Sequence, residues 1–130
     1  MTLKPITFHL TKEDIDRYQK LIKKFPLTSE EKILNQIPKK LEAILRRKRY
    51  SSFVLELIGN VELLYLAIVE GKPISEEIKR KILFALNYFI EEEDEIPDNL
   101  GMLGFLDDAV IVRWVVDDIM TENSEVFIKA

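Results

Sequence analysis

The strongest apolar stretch of the chain occupies residues 53–69 and reads FVLELIGNVELLYLAIV. Its apolar residues recur three and four positions apart, which is typical of an α-helix, and they cover most of the helical circumference. Ser51 or Ser52 offers an N-cap before this stretch, and Gly71 and Pro73 end it. A helix that is apolar nearly all round is expected at the centre of a fold.

This stretch is not expected to cross a membrane. A span needs roughly 20 mostly apolar residues, and Glu56 and Glu62 interrupt the sequence before that length is reached. A second candidate, residues 109–116, contains Arg113 and is followed by two aspartates. We therefore predict helices buried in a protein core and no transmembrane segment.

Two helices are predicted before residue 50. Thr11 and Asp14 give the N-cap signal of the first, and Pro26 stops it. The second begins at a capping box between Thr28 and Glu31 and continues to about residue 48. It contains a proline at position 38, and we expect a kink or a restart there because proline lacks an amide hydrogen.

Two helices are predicted after the apolar stretch. Ser75 caps the first of them, which is expected to pack by one face. That face consists of Ile78, Ile82, Ala85, Leu86, Phe89 and Ile90. The second runs from about residue 105 to 121, and its wide apolar arc predicts a central position. The chain is thus predicted to be all-α, a single domain over residues 1–130 formed by a bundle of five to six helices.

Composition excludes several kinds of chemistry. The 130 residues include no cysteine and one histidine, His9, so disulfides and thiolate sites are excluded and any metal would rely on carboxylates. The N-terminal residues lack the apolar stretch of a signal peptide, and we expect a cytoplasmic location. The net charge of −4 is unevenly distributed, with +7 in residues 1–50 and −11 in residues 51–130. Such polarity can create surfaces that attract different partners.

The connection before the last helix is unusual. Residues 94–108 read DEIPDNLGMLGFLDD, with one proline, two glycines and four aspartates between two apolar helices. Pro97, Gly101 and Gly104 permit a compact turn, and Asp107 and Asp108 are placed to cap the following helix. A structural role therefore explains each residue type in this connection.

Residues 88–108, YFIEEEDEIPDNLGMLGFLDD, resemble the signature of the YkvA-like family of uncharacterised domains, domain of unknown function 1232. The resemblance covers about residues 83–118. The matching positions are Tyr88, Asp94, Ile96, Pro97, Asp98, Leu103, Gly104, Leu106, Asp107 and Asp108. The family implies no established activity. Glu92, Glu93 and Glu95 replace positions that are usually apolar or proline in the family, so the resemblance implies an acidic surface here and makes membrane association less expected.

Our leading hypothesis is a small non-enzymatic domain that acts by binding other proteins, with self-association as a further option. Negative charge at the end of a helix opposes its macrodipole, so an acidic run there favours a cationic partner. The proposed contact is the acidic run Glu91, Glu92, Glu93, Asp94 and Glu95.

Two alternatives stay open. The carboxylates of Asp94, Asp98, Asp107 and Asp108 are hard oxygen ligands that suit a divalent cation, which would be the only cofactor and could support hydrolysis. The second alternative is that a basic run binds an anionic surface or nucleic acid. This run comprises Lys39, Lys40, Arg46, Arg47, Lys48 and Arg49. Nucleic acid is not expected, because the domain as a whole is acidic.

Three lesser features complete the predictions. Arg113 and Asp117 have the spacing of an i,i+4 ion pair at the end of a buried helix. Trp114 is expected in the core or at an interface. The tail contains Val126 among other apolar residues, so we expect it to dock on its own domain or on another copy.

Overall fold

The computed structural model describes residues 10–46, 52–71, 73–91, 106–123 and 126. These residues form five helices: α1 Lys12–Lys23, α2 Glu30–Leu45, α3 Ser52–Val69, α4 Glu76–Glu91 and α5 Leu106–Asn123. A 3₁₀ turn, Leu27–Ser29, leads into α2, and the described segments contain no strand. The predicted all-α class is confirmed. The Pro/Gly connection before α5 lies outside the described residues, and the single-domain organisation stays a prediction.

Two predicted N-caps are present. The Thr11 hydroxyl accepts a hydrogen bond from the Asp14 amide at 3.1 Å, and the Asp14 carboxylate accepts one from the Thr11 amide at 3.1 Å. This reciprocal pair is a capping box and starts α1. The Ser75 hydroxyl accepts a hydrogen bond from the Ile78 amide at 3.1 Å, and this single bond caps the start of α4. Both helices therefore begin where their sequence signals predict.

The predicted start of α2 at Thr28 is wrong. Thr28 lies inside the 3₁₀ turn, and α2 begins at Glu30 without a side-chain cap. The reason is that the turn provides backbone acceptors at the helix entrance. The Ser29 amide donates to the Pro26 carbonyl at 3.2 Å, and the Glu30 amide donates to the Leu27 carbonyl. Because these amides already have partners, no capping side chain is needed.

Helix α2 continues through Pro38, so the predicted restart does not occur. Proline removes one intrahelical hydrogen bond and costs about 3 kcal/mol in a helix interior. Pro38 itself is exposed, whereas Ile33, Ile37 and Ile44 on either side of it are buried against the other helices. Burial of these isoleucines on both sides of the proline offsets the lost bond and keeps the helix continuous.

The central helix is α4, which contacts each of the other four helices. The prediction that α4 packs by one face is wrong, because buried residues cover most of its circumference. They are Ile78, Ile82, Leu83, Phe84, Ala85, Leu86 and Phe89. Because only one short apolar stripe was expected to be buried, Leu83 and Phe84 are the residues that the pattern missed. They face α1 and the neighbouring core instead of solvent.

Helix α3 is less central than its composition predicts. Its inner side is buried through Leu57, Val61 and Leu64, and it contacts α5, α4 and α2. Its opposite side is exposed to solvent, although that side also carries large apolar residues. The expectation that an all-round apolar helix occupies the centre is therefore wrong for α3.

An aromatic cluster joins α1 to α4 and α5. The Tyr18 ring lies 5.7 Å from Phe84, 6.3 Å from Tyr88 and 6.2 Å from Trp114, measured between ring centroids. Trp114 is partly buried in this cluster, which confirms its predicted core position. Val126, the one residue described between 124 and 130, is buried in the main core, so docking on its own domain is confirmed for this residue.

Two neighbouring leucines of α3 test this arrangement. We expect Leu57→Ala to lower the free energy of unfolding by about 2–5 kcal/mol, because Leu57 is fully buried. Leu55→Ala is expected to change it by less than about 0.5 kcal/mol, because Leu55 is 55% exposed. Urea denaturation of both variants measures the difference. Equal losses would mean that α3 is buried on both sides.

Candidate functional site

Four large apolar side chains form one exposed stripe along α3. They are Leu55, Leu63, Leu66 and Val69, and between 38% and 55% of each is exposed. Leu63, Leu66 and Val69 follow one another at three-residue intervals, and Leu55 lies eleven positions before Leu66, so the four side chains share one side of the helix. We call this row the α3 outer face. Exposed apolar residues scattered singly are ordinary, but a contiguous row typically marks a contact site.

Gly59 lies in the middle of the α3 outer face. A β-carbon added there would have no neighbouring atom within 4 Å, so nothing in the described part of the chain packs against this position. Glycine in a helix interior is destabilising by about 0.5–1 kcal/mol relative to alanine. Packing within the described residues therefore gives no reason for glycine here. Its small size leaves the backbone of α3 open to close approach from outside.

Helix α5 borders the α3 outer face. Arg113 Nε lies 3.5 Å from Glu56 Oε1 on α3 and 3.7 Å from Asp117 Oδ2 on α5. The predicted i,i+4 pair is confirmed, but its side chains are more than half exposed, so it contributes little to stability. Met120 lies two helical turns after Arg113 and is 49% exposed. Helix α5 therefore also carries an exposed apolar side chain on the side of Arg113.

The charges on α3 are all negative. Residues 52–71 contain Glu56, Glu62 and Glu70 and no lysine, arginine or histidine. Glu62 and Glu70 are exposed, and the described part of the chain places no basic side chain in an ion pair with either of them. The α3 outer face thus combines exposed apolar side chains with acidic residues that lie among and beside them.

Lys40 on α2 is almost completely buried, with 6% of its surface exposed. Its ammonium group donates a hydrogen bond to the Phe89 carbonyl and lies 4.6 Å from the centre of the Phe89 ring. That carbonyl belongs to the last turn of α4, where carbonyls lack intrahelical donors and positive charge is favourable. Lys40 therefore stabilises the end of α4.

The structure separates members of the predicted basic run. Lys39 and Arg46 are exposed, whereas Lys40 is buried. Arg46 forms an ion pair of 2.6 Å with Glu42 on its own helix. A groove of about 530 Å³ between α2 and α4 includes both Lys39 and Lys40. Arg47, Lys48 and Arg49 lie outside the described residues, so the anionic-surface alternative stays a prediction.

Most of the predicted motif site lies outside the described residues. Glu91 is exposed at the last position of α4, but residues 92–105 are not described, and they include Glu92, Glu93, Asp94, Glu95, Ile96, Pro97, Asp98 and Gly104. The backbone of Asp107 and Asp108 lies in the first turn of α5, but their side chains are outside the described set, so their capping role stays a prediction. Among the side chains that the structure does describe, no group of three carboxylates or imidazoles is arranged to hold a metal. The motif aspartates are not part of that set.

A second charged cluster joins α4 to α5. Lys81 Nζ lies 2.6 Å from Asp118 Oδ2 and 3.4 Å from Glu122 Oε2. Burial would lower the pKa of Lys81, but hydrogen bonding and the charges of these two carboxylates outweigh it and raise the pKa above its ordinary value. The cluster keeps Lys81 charged and ties two core helices together. Its role is structural.

In the described segments, none of the helices combines the length and the apolar character that crossing a membrane requires. This agrees with the prediction made from the interrupting glutamates. The cytoplasmic location stays a prediction.

Comparison with known proteins supports the predicted resemblance. Residues 78–114 match the profile of a family described as "Protein of unknown function (DUF1232)". The match covers most of α4, the connection and the first half of α5, and it confirms the similarity to the YkvA-like domains. No curated protein and no solved structure matched the chain. Helix α3 lies outside the matched segment, so the family similarity does not account for its exposed face.

Sequence reasoning missed the α3 outer face because most of the helix looked equally apolar. A signal was nevertheless present in the polar and small residues. Glu56, Gly59 and Glu62 are three positions apart from one another, and Glu70 follows on the same side two turns later. This spacing marks the solvent side of a helix. The same spacing therefore indicates that the leucines adjacent to those positions lie on the solvent side of α3.

Replacement of Gly59 by alanine tests whether its position is open. Because the added β-carbon meets no atom, Gly59→Ala should raise the free energy of unfolding by about 0.5–1 kcal/mol. Urea denaturation monitored by circular dichroism measures the change. A loss of stability would show that Gly59 is needed inside the fold.

Proposed function

We propose that this domain functions by binding another protein through the α3 outer face. One observation carries the proposal: a row of four large apolar side chains stays exposed on a helix whose other side is fully buried. Met120 on α5, a helix that packs against α3, is a further exposed apolar side chain. The leading hypothesis from the sequence, a domain that acts through protein partners, is retained, but its contact surface is reassigned to α3.

The energetic argument follows from partial burial. Covering a half-exposed leucine or valine completely contributes roughly 1 kcal/mol, so the four residues together offer roughly 4 kcal/mol to a partner. A standard interface buries about 800 Å² on each side, which is more than one helical row provides. The contact therefore extends to the neighbouring exposed residues, including Glu62 and Met120.

The acidic run at residues 91–95 has less electrostatic need of an external partner than the sequence alone suggests. Negative charge opposes the macrodipole at the end of α4 and so favours a nearby cation. Lys40 places a cation of the same chain beside the Phe89 carbonyl at that end. That electrostatic reason for an external partner is therefore reduced. The run stays a second predicted contact.

Capture experiments with single substitutions test the proposal. The Leu55→Gln variant and the Leu66→Gln variant should each fail to capture proteins that the unchanged chain captures from lysate. The reason is that each substitution places an amide group in the apolar contact. Leu21→Gln on α1 is a matched control, since Leu21 is 50% exposed and Leu55 is 55% exposed. Quantitative mass spectrometry of the captured proteins gives the comparison, with unfolding measured in parallel.

The pattern of losses decides between the two surfaces. Proteins lost with both α3 variants and retained by Leu21→Gln support the α3 outer face. Some proteins could still be captured by the α3 variants but not after charge reversal at Glu92, Glu93 and Asp94. That result would assign the contact to the acidic run. Capture that no substitution affects contradicts the proposal.

The metal alternative has a separate test. If Asp94, Asp98, Asp107 and Asp108 bind a divalent cation, millimolar Mg²⁺, Mn²⁺ or Ca²⁺ raises the unfolding temperature, because a ligand of the native state stabilises it. Asp98→Asn combined with Asp108→Asn should then abolish the shift. Differential scanning calorimetry measures both. An unfolding temperature that is identical with and without the cations counts against this alternative.

A further inference from the structure

We infer that the partner segment of the α3 outer face is an amphipathic helix whose apolar side is flanked by lysine and arginine. The inference rests on the proposed function and adds the chemistry of the partner. It follows from the charges around the face, the spacing of its apolar residues and the open position at Gly59.

The α3 outer face has an excess of negative charge on and beside it. Glu56, Glu62, Glu70 and Asp117 lie on or beside it, and Arg113 is the one basic side chain that the described residues place among them. Arg113 is shared between Glu56 and Asp117. Glu62 and Glu70 therefore keep their charge available for cationic groups that approach the apolar row.

This charge distribution separates the candidate occupants. A second copy of the chain, packed α3 against α3, would bring the glutamates of one copy against those of the other, which is unfavourable. An anionic lipid surface would also be repelled by these carboxylates. A partner with basic residues beside its apolar contact is attracted by the same groups, so charge complementarity favours that partner.

The shape of the face favours a helical segment. Leu55, Leu66 and Val69 are separated by eleven and three residues, and the row from 55 to 69 extends for about 21 Å along the axis. An amphipathic helix has apolar side chains at the same intervals and can therefore pack against such a surface. Gly59 lies between the anchors with open space above its backbone. Two helices can approach more closely at a glycine than at any other residue.

Two synthetic peptides test the inference with the full chain. Each has 18 residues, the length of α3, and the same leucine face, with lysine at the remaining positions in one peptide and glutamate in the other. Fluorescence anisotropy measures their dissociation constants at low and high salt. The lysine peptide should bind roughly tenfold more tightly than the glutamate peptide at low salt, and the difference should decrease with salt.

Substitutions assign the binding to the face. The double variant Glu62→Gln with Glu70→Gln should raise the dissociation constant of the lysine peptide by roughly threefold to tenfold. Glu13→Gln with Glu31→Gln removes two exposed carboxylates from α1 and α2, so it has the same net charge and should leave the affinity unchanged. Gly59→Gln should also weaken binding without loss of fold, because its β-carbon meets no atom in the chain.

The outcomes are distinguishable. Equal affinity for the two peptides, or an equal effect of the two glutamate double variants, overturns the inference about partner charge. The proposed function survives that result if cellular partners are still lost with Leu66→Gln, and it fails if they are not. Salt-resistant dimerisation that Leu66→Gln abolishes, or binding to phosphatidylcholine vesicles with the same dependence, would assign the face to a second copy or to lipid and overturn the inference.

Discussion

Helix α4 is packed against all four other helices, and its burial is the constraint from which the rest of the arrangement follows. Phe89, Ile82 and Leu86 are fully buried, and each buried side chain of this size contributes roughly 1.5–3 kcal/mol. Because α4 occupies the centre, the surrounding helices each have an inner and an outer side. For α3 the outer side is apolar, and the exposed row is therefore a consequence of the position of α4.

Electrostatics at the ends and edges of α4 complete the packing. Lys40 on α2 donates a hydrogen bond to the Phe89 carbonyl and so joins α2 to the end of α4. Lys79 on α4 forms an ion pair of 2.5 Å with Glu30 on α2, and Lys81 bridges to α5. The glutamates of α3 take no part in these contacts. Negative charge consequently accumulates beside the apolar row.

Local sequence signals predicted the start of a helix correctly where the capping hydrogen bond lies within one helical turn. The caps at Thr11 and Ser75 involve residues three positions apart, so the sequence alone contains both partners. Errors arose where other groups replaced or outweighed a local signal. The Pro26 and Leu27 carbonyls made a cap at Thr28 unnecessary, and tertiary burial of the isoleucines of α2 kept that helix continuous through Pro38.

The amino-acid sequence by itself determined the all-α class, the positions of the five helices and the similarity of residues 78–114 to a known family. Periodicity and capping are properties of neighbouring residues, and they can be read without knowledge of the fold. Only the tertiary structure decided that α4 is central, that Lys40 is buried and that Leu55 and Leu66 are exposed. Apolar composition shows how much of a helix can be buried, whereas the number of helices packed around it sets how much is buried.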